Sequence, residues 1–168
     1  MDRRVFRKTS LVFIILLGIY MLISACSSKP ETEADRKARI AQGRLTAFEI
    51  ENGIGPIKEE VKVGPLDAQL AAKGEQIFNA KCTTCHKLDQ KHTGPALRDV
   101  ATRRSPAYIL NQILNPEEMA KFHPEGKMLV AKHMQVMTIQ GITPDDARAL
   151  LEFLRQQAAL PPQPAVAK

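Results

Sequence analysis

Residues 81 to 87 read Lys81-Cys82-Thr83-Thr84-Cys85-His86-Lys87, and the fold turns on what this C-x-x-C-H does. The chain of 168 residues has three cysteines, Cys26, Cys82 and Cys85, so the motif holds both of those outside the N-terminal segment. A thioredoxin-like redox pair places C-x-x-C beside a strand-helix unit, and no strand pattern leads into residue 82. A structural zinc site takes four ligands, usually from two separated pairs. There is no second C-x-x-C, and His92, His123 and His133 do not fall at the H-x(3 to 5)-H spacing, which leaves zinc poorly supported.

The N-terminus bears on the compartment. Arg3 to Lys8 form a basic head, Leu11 to Ile23 an almost unbroken apolar run, and Ser24, Ala25 and Cys26 a small-residue end. That is the layout of a secretory signal, with an apolar run short for the ~20 residues of a spanning helix. Residues 1–25 are therefore expected to be an address and not part of the fold. Ile23-Ser24-Ala25-Cys26 resembles the lipobox of bacterial lipoproteins, which implies a diacylglycerol thioether on Cys26. The alternative is an uncleaved signal anchor. Either way the rest of the chain is expected on the far side of the membrane, facing the periplasm and lipid-anchored in the cell envelope.

Two idle thiols in that oxidising compartment would pair or be lost. The remaining reading is one covalent haem c. C-x-x-C-H is the haem attachment signature, and its spacing has a mechanism. Two cysteines three positions apart on one helical turn present their sulfurs to the two vinyl groups, and the following His86 lies where its imidazole reaches the iron. Both thiols are consumed, and the cysteine count closes.

Composition agrees. Apolar residues make up 44% and aromatics 5%, with no Trp, enough for one small core that a buried prosthetic group could complete. The net charge is +6, but Arg3, Arg4, Arg7 and Lys8 against Asp2 place +3 of it in the leader. The modest remainder carries no basic stripe or reading module, so nucleic acid is not an expected partner.

The stretch from about Asp67 to Gln157 resembles a class I c-type cytochrome. The resemblance is carried by Gly74-x-x-x-Phe78 ahead of the haem motif, Gly94-Pro95 after it, and a methionine before a last amphipathic helix. It implies an all-α fold, the small helical wrap around one haem, over residues 67–157. Residues 26–66 are then a tether and N-terminal extension, and 158–168 a flexible tail. Within the extension, 27–33 reads as a tether, 34–50 as one surface helix and 52–64 as an extended segment packed on the domain.

The residues supply the helices. Asp67 can cap a helix to about Lys81 with Leu70, Gly74, Ile77 and Phe78 on one face. Ser105-Pro106 opens another that closes before Pro116, its apolar face expected to form one wall of the haem pocket. Thr143-Pro144-Asp145-Asp146 starts the last, with Ala147, Leu150, Leu151, Phe153 and Leu154 inward. The resemblance implies that first and last helices cross at Gly74, Phe78 and Phe153, and a close approach there would compensate a mid-helix glycine. Met119 and Met128 read as core side chains, and His92 and His123 as exposed.

The resemblance also implies that the Pro95 carbonyl accepts from His86 Nδ1, and that a methionine completes the iron. Met137, six residues before Thr143, is near the family's spacing, although Thr138 stands where the family usually has proline. Met134 is the alternative, followed by His133 or an open position. A His/Met pair fills the iron and leaves no site for substrate. The expected function is thus a membrane-tethered single-electron carrier, not an enzyme, serving an oxidase, a reductase or a quinol-oxidising complex. Lys81, Lys87, Lys91, Arg98, Arg103 and Arg104 could rim the haem edge to steer an acidic partner. The alternative is a five-coordinate haem protein with peroxidase or gas-binding activity.

Overall fold

The structure, a computed structural model, describes residues 30 to 162. The leader, Cys26 and the last six positions of the C-terminal tail lie outside the described residues. All regular structure among the described residues is helical: α1 Glu33–Ala41, α2 Ala47–Asn52, α3 Ala68–Lys81, α4 Val100–Arg103, α5 Pro106–Leu114, α6 Pro116–Phe122, α7 Pro124–His133 and α8 Pro144–Ala158. None of them is long and apolar enough to cross a membrane. The chain divides between Ala38 and Arg39 into two units, and the core and the cleft described below belong to the second.

The crossing of α3 and α8 is the centre of that unit. Asp67 Oδ1 accepts from the backbone N–H groups of Gln69 and Leu70 at 3.0 Å and starts α3, while Thr143 Oγ1 accepts from Asp146 N at 3.2 Å and Pro144 fills the first turn of α8. A Cβ on Gly74 would lie 2.0 Å from the Ala149 carbonyl oxygen and 2.8 Å from Phe153 Cβ, so the two backbones touch there. One turn further along, the Phe78 and Phe153 rings stack with centroids 5.1 Å apart and planes tilted by 43°. Around them Ile109, Leu110, Ala147, Leu150, Leu151 and Leu154 close the core. The expected crossing is therefore the one observed.

α5 begins as expected, with Ser105 Oγ accepting from Tyr108 N at 3.1 Å and Pro106 at its start. Its apolar side is divided between two neighbours. Ile109 and Leu110 join the main core, while Tyr108 joins Ile40, Ile54 and Met119 in a second cluster. No α5 residue is among those lining the cleft described below, although Gln112 Nε2 comes to 3.7 Å from the sulfur of Met137, which is.

The N-terminal extension differs from the single surface helix expected over 34–50. Gly43, at φ 75°, turns the chain after α1, and Thr46 and Glu49 form a capping box that starts α2 afresh. Arg39 pairs with Glu49 at 2.7 Å across the turn. Ile40 is then buried rather than displayed, and Ile54 is buried as expected of a segment packed on the domain. The Asn111 side chain, fully buried, donates to the carbonyls of Asn52, Gly53 and Ile57 and accepts from Ile57 N. One amide thus satisfies four groups of a segment that has no regular structure of its own.

Two further helices, α6 and α7, are not announced by apolar periodicity; each opens on a proline. They pack at Gly126, where a Cβ would stand 2.0 Å from the Met119 carbonyl oxygen. Met119 is fully buried as expected, but Met128, about 200° around α7 from Gly126, is 54% exposed and not a core residue. His123 is likewise not exposed. Its Nδ1 accepts from Glu125 N at 3.2 Å as the cap of α7, its Nε2 faces the Ile50 carbonyl at 3.1 Å, and its ring meets Tyr108 edge-on. His92 is exposed as expected.

Candidate functional site

The C-x-x-C-H turn unwinds from the end of α3. Cys82 N donates to Phe78 O at 2.8 Å and serves as the last cap of the helix, and His86 N donates back to Cys82 O at 2.8 Å. The two sulfur-bearing residues thus sit on a turn fixed to the rigid α3/α8 crossing. Gly94 N donates to Cys85 O at 2.7 Å, which folds the following loop against the turn. His86 Nδ1 lies 3.0 Å from the Pro95 carbonyl oxygen, a contact that fixes the tautomer and leaves Nε2 for another partner. Gly94 lies flat on the same ring: a Cβ there would come within 2.4 Å of His86 Cε1.

Titration favours ligand chemistry here. Burial holds His86 below the ordinary imidazole value; the Pro95 contact opposes this and the neighbouring His133 adds to it. A neutral imidazole is what a metal requires. Burial pushes the Cys82 thiol up to about 11, with Lys81 pulling down and Cys85 pushing up. Such a thiol stays protonated at neutral pH, unlike the low-pKa cysteine of a thiol-exchange enzyme. Cys82 and Cys85 are not bridged to each other.

A cleft opens beside this turn, lined by Lys81, Cys82, Cys85, His86, Thr93 and Gly94 together with His133, the loop residues Gln135 to Thr138, and Gln140. Met137 is part of that lining, and its sulfur lies 3.7 Å from Gln112 Nε2 of α5. Met134 is not part of it: it caps α7 in the left-handed region, at φ 53° and ψ 29°, and is 86% exposed.

Two features of the cleft match a haem. The donor set is right in kind: two thiols, an imidazole with one nitrogen already engaged, and a thioether in the same lining. In addition, Nδ1 and Nε2 of His133 are buried without a hydrogen-bond partner among the described residues. Burying a polar atom unpaired costs about 1–3 kcal/mol, so a group that brings its own polar atoms or metal is needed there.

The cations expected around the edge divide. Lys81 lines the cleft and its Nζ donates to the carbonyls of Gln140 at 3.0 Å and Gly141 at 3.4 Å, tying the Met137 loop to the end of α3. Lys87 Nζ donates to Thr83 O at 2.9 Å, and Lys91 is exposed. Arg98 is not a rim cation. It is 7% exposed, clamped to Asp89 by two hydrogen bonds and to Gln157 by two more, and locks the post-motif loop to the end of α8. Arg103 pairs with Asp99, and Arg104 pairs with Glu125 while lying over the Tyr108 ring. The sequence signal for Arg98 was Asp89, an acid in the same loop.

The comparisons agree with this geometry. The cytochrome c family model matches residues 71–158. A curated relative described as cytochrome c-553-like, from Synechocystis, is 35% identical over 30% of this chain and 60% of its own length. Cytochrome c-551 of Pseudomonas denitrificans is 44% identical over 24% of this chain and 56% of its own. The chain thus spans about three fifths of the length of these relatives. Among solved structures, a cytochrome c from Rhodothermus marinus superposes with a TM-score of 0.63 at 47% identity, covering 67% of this chain and 97% of that one. The chain belongs to the cytochrome c family, and covalent haem c is its cofactor.

Proposed function

We infer that this chain is a single-haem electron carrier, held to a bacterial membrane by a lipid on Cys26 and working on the periplasmic side. Cys82 and Cys85 form the thioethers, and His86 and Met137 take the two axial positions of the iron. The observation that carries this reading is one cleft whose lining includes both the C-x-x-C-H turn and Met137. Bound haem supplies a one-electron change at iron. The chain contributes the rest: the Pro95 carbonyl holds the His86 ring, Gly94 allows that ring its place, and Lys81 ties down the loop that carries Met137. With His86 and Met137 both holding the iron, no position would be left for substrate, and the bound group would exchange single electrons. Lys81, Lys87 and Lys91, near that edge, suit an acidic partner such as an oxidase, a reductase or a quinol-oxidising complex.

The test is spectroscopic. Protein isolated from a host that matures such cytochromes is expected to gain the mass of one haem and of one lipid, and its oxidised form to show the weak far-red band of thioether-ligated iron. Met137→Ala should abolish that band. A spectrum untouched by the substitution would reject Met137, and fast binding of carbon monoxide by the unaltered protein would favour an open iron and a ligand-binding role.

A further inference from the structure

His133 is the last residue of α7, and its ring reaches into the same cleft as His86 and Met137. Both of its nitrogens are buried, and neither has a hydrogen-bond partner among the described residues. That is an unusual state for an imidazole, whose nitrogens ordinarily bond to protein or water when buried. From His133 to Met137 the chain runs only four residues, through Met134 in the left-handed turn, so thioether and imidazole come from one short segment. That segment is exposed at Met134 and Val136, Gln112 of α5 meets Met137 at 3.7 Å, and Lys81 holds the chain just beyond it at Gln140 and Gly141.

We propose that His133 is a reserve iron ligand: when Met137 leaves, the His133 imidazole takes the vacated position and gives the haem a second, bis-imidazole state. The inference rests on the reading that Met137 is the resting ligand. The exchange breaks one iron–sulfur bond and forms one iron–nitrogen bond; a neutral thioether is replaced by a neutral imidazole, and no proton or electron changes hands. Its direction follows from ligand softness. The soft thioether favours reduced iron and raises the potential, whereas imidazole suits oxidised iron better. Oxidation therefore biases the site towards His133 and reduction towards Met137.

The experiment uses the full, haem-loaded chain and compares Met137→Leu with the double variant that adds His133→Phe. Leu keeps the bulk of Met137 without a donor atom; Met137→Ala serves the same purpose if Leu fails to fold. Oxidised Met137→Leu is expected to be low-spin with a bis-imidazole spectrum, and the double variant high-spin. Cyanide entry should be roughly tenfold or more slower in the single variant than in the double. A high-spin single variant that binds cyanide as fast as the double overturns the proposal, and assigns His133 to hydrogen bonds with the porphyrin carboxylates instead. If the unaltered protein already lacks the far-red band and His133→Phe alone turns it high-spin, His133 is the resting ligand and both this proposal and the Met137 assignment fail. If Met137→Leu leaves the far-red band in place, the Met137 assignment fails, and the reserve role falls with it.

Discussion

Replacing Gly74 by alanine sets two effects of opposite sign against each other. Alanine is favoured over glycine in a helix interior by about 1 kcal/mol, so at an open crossing the substitution would stabilise. The crossing is closed: the new Cβ would lie 2.0 Å from the Ala149 carbonyl oxygen, 2.5 Å from its carbon and 2.8 Å from Phe153 Cβ. Two of these atoms are backbone and cannot rotate aside, so α3 and α8 must separate along the packed Phe78–Phe153 pair. Overpacking of this kind costs about 3 kcal/mol, leaving a net loss of about 2 kcal/mol. For a domain of this size that lowers the melting temperature by roughly 6–10 °C. Guanidinium unfolding of the haem-loaded protein, followed by far-UV circular dichroism, measures the loss directly. Gly64→Ala is the control, since nothing lies within 4 Å of its added Cβ, and it should change stability little. A Gly74→Ala midpoint at or above that of the unaltered protein would refute the close-crossing argument.

Met134→Gly should raise stability by about 1 kcal/mol, because the residue is left-handed at the cap of α7 and its exposed side chain contributes no packing; denaturant midpoints check this, and the far-red band should survive. Asn111→Leu should cost about 3 kcal/mol or more, since it strips partners from several buried backbone groups of residues 52–57. Cleavage of that segment by protease should speed up together with the loss, and unchanged digestion would argue that other contacts hold it. Burial raises the Glu49 carboxyl, but Arg39 and Thr46 outweigh it and bring the group down to about 2, below its unfolded value of 4.5. Its contribution is therefore present above about pH 4.5 and is lost as the pH falls towards 2. Stability of the unaltered protein should drop over that range more steeply than that of Glu49→Gln; parallel curves would remove the assigned role.

How far the sequence carries the reader depends on how local the signal is. Asp67, Ser105 and Thr143 announce helix starts because a cap acts within three residues, and all three cap as expected. The crossing was legible because a mid-helix glycine needs a reason. The break of the N-terminal extension into α1 and α2 was written locally too, in Gly43 and the Thr46/Glu49 capping box, but charged residues over 34–50 masked it. What sequence periodicity does not hold is the identity of a distant partner. Arg98 looks like any surface cation until Asp89 and Gln157 converge on it. His123 looks exposed until Ile50, some 73 residues earlier, supplies a carbonyl. The Tyr108 side of α5 looks like part of the main core until Ile40 and Ile54 of the extension claim it.

These long-range contacts divide the site into halves of different stiffness. The turn carrying Cys82, Cys85 and His86 is welded to α3, which is locked into α8, and the loop after it is clamped by Asp89 and Arg98 to the last turn of that helix. The facing loop has no regular structure from Gln135 to Thr143, exposes Val136 and Ile139, and is joined to α3 through one lysine. Segments with few buried contacts and exposed backbone open at lower free energy than the core. Opening of this cytochrome therefore begins on the Met137 side, with His86 and both sulfurs still in place. Lys81→Met should then weaken the hold on Met137, dimming the far-red band and speeding carbon monoxide entry into the reduced protein, while the global unfolding midpoint moves little. A drop of that midpoint in step with the spectral change would show instead that the loop and the core open as one unit.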